Sequence, residues 1–355
     1  MAKYIVTGCA GFIGCAMTYR LLSEGHEVIG IDNFSNFTPI QVKYYRLKKL
    51  EQRLTDDERT RFQFYNLSIF DMDKNVELAA NVDSVLHFAA WPGIRESFNY
   101  PVRYITANIT TSQFLLEWAG ELGIPKVLLA SSSSVYGTLA REDKLNPQSP
   151  PMSIACKENM TEGRPTSPYA MTKKAMEDLG YIYHRKYGYD VIIPRYFTVY
   201  GPHGRPDMAC LKFIRQLYKG QPITIYGDGT QRRDFTYIDD AIDATMAMLG
   251  RTAKGFEIFN VGSGNPRMLI ELIDAIAMNF MLREIPSSEK PRMLGDVYVT
   301  HANIGKASRL LSWWPTTGLE MGIHNTVAWY KVEGHKFYDG LAEGGDTSET
   351  DEDSH

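Results

Sequence analysis

Short apolar runs alternate with longer amphipathic stretches through the first half of the chain. The runs are rich in Val, Ile and Leu and lack the polar alternation of a half-exposed strand. They are typical of strands in a parallel sheet that is covered on both faces. The predicted strands are KYIVTG, HEVIGID, FQFYNL, DSVLHFAA, KVLLASS and DVIIPRYF. Between them the pattern predicts helices, including residues 13–24, 103–122 and 170–187.

The repeated strand–helix order predicts an α/β fold with a Rossmann-type doubly wound parallel sheet. After about residue 196 the alternation becomes irregular, and Gly and Pro cluster in YGPHGRP and YGDGTQ. We therefore expect a first domain at residues 1–195, to which a strand near 256–261 returns. A smaller, partly interleaved lobe is expected at 196–335, and an acidic disordered tail at 336–355.

Composition narrows the range of partners. The chain has 355 residues and a net charge of −4, and its end, EGGDTSETDEDSH, holds six acidic side chains and no Lys or Arg. Without that end the body is nearly neutral, so no nucleic-acid partner is expected. No apolar run approaches the roughly 20 residues of a membrane span, and no signal peptide is expected. Four cysteines without CxxC spacing favour a cytoplasmic protein, and the histidines show no metal-ligand spacing.

A glycine-rich loop, VTGCAGFIG, joins the first predicted strand to the first predicted helix. Gly8, Gly11 and Gly14 would permit a tight turn and a close approach of the backbone to a pyrophosphate. Such a loop alone could be only a tight turn. Asp32, however, ends the second strand, where a carboxylate can bind an adenosine ribose and repel a 2′-phosphate. The two together predict NAD rather than NADP, although Asp32 could instead be a turn or cap residue.

Four consecutive serines, Ser131 to Ser134, end another predicted strand in VLLASSSSVYG. Ligands of doubly wound sheets bind at the carboxyl ends of strands, so the serine hydroxyls are expected to point into that crevice. Alternatively, they bond the backbone of the following loop. Tyr169 and Lys173 then lie four residues apart on one face of a predicted helix. A glycine loop, a serine strand end and YxxxK in this order form a specific pattern.

With these motifs the chain resembles the extended short-chain dehydrogenase/reductase family from residue 2 to about 331. Within it the chain is most similar to nucleotide-sugar 4-epimerases, in particular those that act on UDP-glucuronate. The matching stretches are HFAAWPGIRES, ASSSSVYG, PYAMTKKAME, YFTVYGPHGRPDMA, IYGDGTQRRDFTYIDD and GDVYVTHANIGKA. The resemblance implies an isomerase with an NAD-binding first domain and a nucleotide-sugar lobe.

The resemblance also implies the roles of individual residues. Tyr169 would be the catalytic base and acid, Lys173 its partner and Ser132 the third catalytic residue. The implied cofactor-binding residues are Gly8, Gly11, Phe12, Ile13, Gly14, Asp32, Asn33, Asn66, Leu67, Ala89, Ala90, Tyr169, Lys173 and Tyr196. The implied substrate-binding residues are Arg95, Ser132, Ser133, Ser134, Tyr169, Thr198, Arg205, Arg233 and Asp296. Arg205 and Arg233 are expected near the diphosphate and Asp296 near the ribose, although Arg205 could instead form a salt bridge within its loop.

The implied reaction explains why these residue types are needed. Epimerisation at C4 breaks a C–H bond that is not acidic, so a hydride must pass to NAD⁺ while a base takes the O4 proton. The 4-keto sugar then turns over and receives the hydride on its other face. A tyrosine has a pKa near ~10, too high for an efficient base at pH 7. An ammonium about 4 Å away contributes ~4 kcal/mol at an effective dielectric of ~20, so Lys173 is expected to lower the pKa of Tyr169 by about three units.

The serines and Thr198 favour a uronic acid as the substrate. Related dehydratases and decarboxylases have acidic residues after the catalytic hydroxyl residue, whereas this chain has Ser133 and Ser134. Neutral donors can hold a C5 carboxylate, and Thr198 stands where UDP-galactose 4-epimerases have Asn, although it could simply pack under its loop. We expect conversion of UDP-glucuronate to UDP-galacturonate. The alternatives are a neutral or modified UDP-sugar, a decarboxylase, or a non-catalytic NAD-sensing protein.

Several features depart from the family pattern or concern assembly. Asn66 replaces an Asp that often contacts adenine, and Trp91 replaces Gln near the nicotinamide, where the indole is expected to narrow the pocket. The segment 138–168 is about ten residues longer than in typical relatives; it is either passive or reshapes specificity. By family resemblance, residues 103–122 and 170–187 would pair two subunits in a homodimer, or their apolar positions could only cover the sheet.

Overall fold

The structure is a computed structural model that describes residues 1–137, 154–160, 163–250, 255–292 and 295–341. Thirteen strands lie within these ranges. They are Lys3–Thr7 (β1), Glu27–Asp32 (β2), Phe62–Asn66 (β3), Ser84–His87 (β4), Lys126–Leu129 (β5), Ser131–Ser132 (β6), Asp190–Tyr196 (β7), Thr198–Tyr200 (β8), Ile223–Tyr226 (β9), Arg232–Tyr237 (β10), Phe256–Val261 (β11), Pro266–Met268 (β12) and Ser287–Lys290 (β13).

Helices connect most of these strands. The α-helices in the described ranges are Phe12–Ser23 (α1), Ile40–Arg53 (α2), Asp56–Thr60 (α3), Ile94–Asn99 (α4), Pro101–Tyr104 (α5), Thr111–Glu121 (α6), Pro168–Tyr187 (α7), Ala209–Tyr218 (α8), Ile238–Leu249 (α9), Leu269–Asn279 (α10), Gly305–Leu311 (α11), Leu319–Trp329 (α12) and His335–Tyr338 (α13). The π-helical segments are Ile105–Thr110 and Tyr330–Gly334, and the short 3-10 helices are Ile69–Lys74, Val76–Ala79 and Ser133–Tyr136. None of the helices described has the length and apolar content that a membrane span needs.

The main sheet has the strand order β11-β7-β5-β4-β1-β2-β3, and its strands are parallel throughout. The chain builds one half outward from β1 through β2 and β3, and the other from β4 through β5, β7 and β11. This is the predicted doubly wound sheet, which is therefore confirmed. The direction of winding reverses between β1 and β4, and a crevice opens there at the carboxyl ends of the strands.

Apolar residues of the central strands pack on both faces of this sheet, as their uninterrupted apolar runs predicted. On β1, Val6 packs in one core cluster with Met17 and Leu21 of α1. The neighbouring Ile5 packs in the opposite cluster with Leu115 of α6 and Met176 of α7. Because side chains alternate along a strand, the two layers of helices are fixed on opposite faces, and the loops between them are brought to the crevice.

A second lobe follows the main strands and borders the crevice. It contains a three-stranded sheet, β12-β10-β8, and a pair formed by β13 and β9. Asp234 on β10 is fully buried and accepts hydrogen bonds from the backbone N–H groups of Ser263, Gly264 and Ala302. Burial raises the pKa of this carboxyl, and the hydrogen bonds to it act in the opposite direction. Asp234 thus ties the loop after β11 to the lobe.

The described C-terminal residues belong to the folded body. Tyr338 is fully buried and donates a hydrogen bond to the Gly204 carbonyl oxygen at 3.1 Å. The Leu341 carbonyl oxygen accepts a bond from Arg215 at 2.9 Å. The predicted boundary of a disordered tail at residue 336 was therefore too early, since residues 336–341 are packed. The acidic residues beyond Leu341 lie outside the described ranges.

Arg46 joins the first domain to the loop after β8, and replacing it should reduce stability. This fully buried side chain on α2 donates through Nε to the His203 carbonyl oxygen and through Nη2 to that of Gly204, both at 2.9 Å. Arg46→Leu would remove both donors, so we expect the free energy of unfolding to fall by about 2–4 kcal/mol. Urea unfolding measures this, with the exposed Lys48→Leu as a control that should change it by less than about 0.5 kcal/mol. Equal effects of the two substitutions would contradict the role given to Arg46.

Candidate active site

A single large crevice of about 1780 Å³ runs from the glycine loop to the second lobe. This volume exceeds the roughly 300–1,000 Å³ of a pocket for one small molecule, so the crevice has room for two ligands. Every residue assigned to the site from the sequence lines it, with the exception of Asn66. Asn66 is exposed at the end of β3, while the next two residues, Leu67 and Ser68, reach the crevice. The adenine contact expected of Asn66 is therefore not supported.

The glycine loop is packed too tightly to accept side chains. Gly8 has φ +70°, and a Cβ there would lie 2.7 Å from the Ala89 nitrogen. A Cβ on Gly14 would lie 2.2 Å from the Gly8 carbonyl oxygen. Helix α1 begins directly after Gly11, and no side chain caps its first turn. A helix start of this kind, open to a crevice, suits a phosphate group.

Asp32 is buried at the end of β2 and is already well bonded. Its carboxylate accepts from the backbone N–H of Ala10 at 3.1 Å and of Phe34 at 2.9 Å, and from the Lys43 ammonium at 3.1 Å. The Phe34 bond is the turn contact considered as an alternative, yet Asp32 also lines the crevice. Lys43, on α2, is a crevice residue that the sequence reasoning missed. Its charge partly offsets the carboxylate, which weakens the expected repulsion of a 2′-phosphate.

Tyr169 and Ser132 meet at the inner end of the crevice. Helix α7 begins at Pro168, and the Ser167 hydroxyl caps it by accepting from the Ala170 N–H at 3.1 Å. This cap directs the first turn, which carries Tyr169, towards β6, the strand formed by Ser131 and Ser132. Burial raises the pKa of Tyr169, while a hydrogen bond with Ser132 and the charge of Arg205 act in the opposite direction.

Lys173 is bonded to the main chain beside the serines. Its ammonium donates to the Ala130 carbonyl oxygen at 2.7 Å and lies 3.9 Å from the Met176 sulfur. Burial lowers the pKa of Lys173 to about 8, against the charge of Glu177, which raises it. The expected effect of Lys173 on the pKa of Tyr169 stays a prediction.

The four serines do not share one role. The Ser131 hydroxyl points away from the reacting residues and donates to Glu177 Oε1 at 2.6 Å. The Ser132 oxygen accepts from the Ser134 N–H at 3.2 Å and from its hydroxyl at 3.0 Å. Ser133 and Ser134 line the crevice, as does Thr198 at the start of β8. The expectation that all four hydroxyls face the crevice thus fails for Ser131.

An aromatic cluster of Phe37, Trp91 and Tyr104 lies beside Tyr169. Trp91 is 5.7 Å from Phe37 and 5.8 Å from Tyr104 between ring centroids, and Tyr104 is 6.2 Å from Tyr169. The side-chain amide of Asn108 holds the backbone of Trp91 with two hydrogen bonds. It accepts from the Trp91 N–H at 2.7 Å and donates to the Trp91 carbonyl oxygen at 3.0 Å. Asn108 lies in a π-helical segment, a local irregularity frequent at functional sites, which the sequence reasoning missed.

The arginines of the crevice are paired or stacked. Arg205 forms an ion pair with Asp207, with the shortest distance 2.5 Å, which is the loop salt bridge considered as an alternative. Arg233 pairs with Asp296 at 2.5 Å, so the structure brings these two predicted substrate residues together. The Arg95 guanidinium lies 4.6 Å from the centroid of the Tyr226 ring. Within the described ranges no group of three His, Cys, Asp or Glu side chains could hold a metal ion.

This sheet order and crevice define an extended short-chain dehydrogenase/reductase. The chain belongs to the NAD dependent epimerase/dehydratase family, whose profile matches residues 4–262. It is 41% identical over 337 residues to UDP-glucuronate 4-epimerase from Thermodesulfobacterium geofontis (strain OPF15), covering 93% of this chain and 97% of that protein. It is also similar to UDP-glucuronic acid 4-epimerase from Bacillus cereus, solved in complex with UDP-glucuronic acid and NAD. That match has a TM-score of 0.83 and 36% identity over 93% of this chain and 99% of the other.

Replacing Lys173 should stabilise the protein at neutral pH. Burial lowers its pKa to about 8, so the folded protein holds this proton less tightly than the unfolded chain. The charge therefore costs stability below about pH 8, and the cost disappears as the pH rises towards about 10.5. We expect Lys173→Met to raise the free energy of unfolding by about 1–2 kcal/mol at about pH 7, after loss of the Ala130 bond, and to lose this advantage near pH 10.

Urea unfolding at the two pH values measures the effect. At each pH the free energy of unfolding of the variant is compared with that of the wild type. Lys174→Met, at the neighbouring, less buried position of α7, is the matched control and should change the free energy of unfolding by less than about 0.5 kcal/mol. A Lys173→Met effect that is the same at both pH values would show that the buried charge is not its cause.

Proposed function

We propose that this protein is an NAD-dependent UDP-sugar 4-epimerase that interconverts UDP-glucuronate and UDP-galacturonate. The observation that carries the proposal is that Tyr169 and Ser132 line the same crevice, which is large enough for a dinucleotide and a nucleotide sugar. Support comes from the relatives and solved structures described above. A Tyr-to-Phe mutant of the Bacillus cereus enzyme, in complex with NAD and a 4-deoxy-4-fluoro analogue of UDP-glucuronic acid, has the same TM-score.

The residues present fit NAD at one half of the crevice. The tight turn at Gly8 and the uncapped start of α1 would take the pyrophosphate. Asp32 and Lys43 together would hold the adenosine ribose, since each has hydrogen-bonding capacity left for a hydroxyl. Bound NAD supplies a hydride acceptor that can return the hydride within one turnover.

Tyr169 is proposed as the group that takes the proton from the C4 hydroxyl and returns it. Ser132 lowers the pKa of the phenol and would hold the phenol oxygen in place. Arg205 acts on Tyr169 through its charge, which lowers the pKa of the phenol. Because burial acts in the opposite direction, the protein alone leaves Tyr169 a weak base. The positive nicotinamide ring would add to the stabilisation of the phenolate, as would the ammonium of Lys173, the proposed partner of Tyr169.

A uronate is favoured over a neutral sugar by the groups around Tyr169. The C5 carboxyl of the substrate is adjacent to C4, so it must lie near the phenol oxygen. Ser133, Ser134, Thr198 and Arg205 line the same crevice, and the charge of Arg205 acts on Tyr169. Hydroxyls and a guanidinium can bind a carboxylate, whereas a CH₂OH group would leave Arg205 without an anion other than Asp207. We propose that Arg205 exchanges Asp207 for the substrate.

Tyr169→Phe tests the proposed base. Purified protein is incubated with UDP-glucuronate without added NAD, and UDP-galacturonate is followed by NMR. We expect the wild type to form it, and the variant to lose about a thousandfold in rate while it retains bound dinucleotide, because only the proton transfer is removed. UDP-glucose in a parallel sample should not react. Conversion of UDP-glucose but not UDP-glucuronate would establish the neutral-sugar alternative, and full activity of the variant would overturn the assignment of Tyr169.

We also propose a homodimer, formed by residues 103–122, which include α6, and by residues 170–187 of α7. Apolar side chains are exposed on both, including Ile105 in the first range and Tyr181 and Ile182 on α7, and Val102 (71% exposed) directly precedes the first range. Val102 and Ile105 are three residues apart and so share one face. Burial of such a face against a second copy would account for its composition.

Val102→Asp tests this interface. We expect the wild type to have the mass of a dimer and the variant that of a monomer in light scattering, because a carboxylate would be buried without a partner. Met281→Asp is a matched control at another highly exposed apolar position and should remain a dimer. A monomeric wild type would rule out the homodimer.

Two further points remain proposals. We propose residues 1–195 with the strand at 256–261 as the NAD-binding unit and 196–335 as the nucleotide-sugar lobe. β11 pairs in parallel with β7, which supports this division. We also propose a reducing cytoplasmic location, supported by the four cysteines, Cys9, Cys15, Cys156 and Cys210, all of which are free thiols.

A further inference from the structure

The serine strand β6 is held only weakly by the main sheet. It has two residues, and its pairing with β7 consists of Ser131 opposite Arg195 and Ser132 opposite Tyr196. The ladder between β5 and β7 ends at Leu128 and Ile192, and pairing resumes in the same register at β6. Pro194 lies at this break and has no N–H to donate. The position of Ser132 must therefore depend on contacts outside the ladder.

Helix α7 supplies these contacts from three successive turns. Tyr169, Lys173 and Glu177 are four residues apart and share one face. The Lys173 ammonium donates to the Ala130 carbonyl oxygen at 2.7 Å, and the Glu177 carboxylate accepts from the Ser131 hydroxyl at 2.6 Å. Ala130 and Ser131 are thus fastened to successive turns of the helix, and Ser132, which lowers the pKa of Tyr169, lies beside the first turn.

Glu177 is itself held by a buried bidentate ion pair. Arg195 donates to it through Nε at 2.8 Å and through Nη2 at 2.7 Å, and both side chains are almost fully buried. The Arg195 guanidinium also lies 4.7 Å from the ring centroid of Tyr136 and donates to the Glu158 carbonyl oxygen. One carboxylate therefore bonds both Ser131 and its partner in the sheet, Arg195, and holds the two in register.

We propose that Glu177, fixed by Arg195, is a positioning residue for epimerisation, which sets the register of the serine strand against α7 so that Ser132 meets Tyr169. This inference rests on the proposed function only for its activity assay, because the contacts exist in the protein alone. Glu177 does not line the crevice, so it acts through Ser131 and not on the substrate.

Glu177 also has an electrostatic effect one turn away. Its charge raises the pKa of Lys173, which burial lowers to about 8. The other groups facing Lys173 are Tyr169 on its own helix, His87 on β4 and, through Glu177, Arg195 on β7. Burial and the charge of Lys173 lower the pKa of His87 to about 3, so this imidazole is neutral. Removal of the Glu177 charge would therefore leave the ammonium of Lys173 without its stabilising anion.

Ser131→Ala is the first test, because it removes the fastening hydroxyl and leaves the ion pair in place. We expect kcat for UDP-glucuronate to fall about tenfold while KM and the bound dinucleotide stay unchanged. Ser84→Ala is the matched control, since Ser84 is a buried serine on the parallel strand β4 whose hydroxyl has no partner among the described residues. Equal kcat for the wild type and both variants would overturn the proposal.

Glu177→Gln tests the electrostatic effect, since Gln can still accept from Ser131. Lys173 is proposed as the catalytic partner of Tyr169, and its ammonium should then be lost at lower pH, so we expect the alkaline limb of the kcat–pH profile to move down by about one pH unit. A lower melting temperature with an unshifted profile would mean that Glu177 is only structural. If this variant does not fold, Ser131→Ala still decides the positioning role.

Hydrogen exchange separates this inference from the proposed function. Amides at residues 126–137 should exchange about tenfold faster in Ser131→Ala than in the wild type and Ser84→Ala. If the wild type does not convert UDP-glucuronate, the proposed substrate is wrong. The exchange rates then test on their own whether Ser131 holds β6 against α7. Equal exchange rates in Ser131→Ala and the wild type would contradict the proposed role of Ser131, even if the enzyme is active.

Discussion

A positive charge held inside the protein is the constraint to which the rest of the site is adjusted. The Lys173 ammonium has lost its water and is compensated by one carbonyl oxygen and one carboxylate a helical turn away. Desolvation of an ammonium is expensive, so such a charge persists only where the fold holds its partners firmly. The carboxyl ends of β5 and β6, the first turns of α7 and the Glu177–Arg195 pair meet here, and each limits how far the others can move.

The same burial sets the electrostatics of the phenol. Burial disfavours Tyr169 as a phenolate, and the charge of Arg205 only partly offsets this. In the proposed reaction the protein would supply position more than charge, and the cationic ring of the dinucleotide would add stabilisation of the phenolate. The proposed base would be stronger with the oxidised cofactor bound, which would couple proton removal to hydride removal.

Much of the fold followed from local pattern. The central strands are buried on both faces, so their apolar runs were unambiguous, and the glycine loop and YxxxK each lie within a few residues of chain. The contact of Asn66 with adenine stays a prediction, because a motif gives the identity of the residue, while its exposure depends on the end of β3. The Glu177–Ser131 bond, Lys43 beside Asp32 and the Asn108 clamp were missed because they join residues far apart in sequence or on different elements. A motif shows which residues are present, but only packing shows which way Ser131 points.

The hydrogen bonds that hold the turn carrying Trp91 reach only its main-chain atoms. Asn108 bonds the N–H and carbonyl of residue 91, and Tyr104 donates to the Pro92 carbonyl oxygen. None of these bonds depends on which side chain residue 91 bears. A different side chain at this position would keep all three bonds, so the width of the crevice beside Tyr104 could change while the backbone around it stays in place.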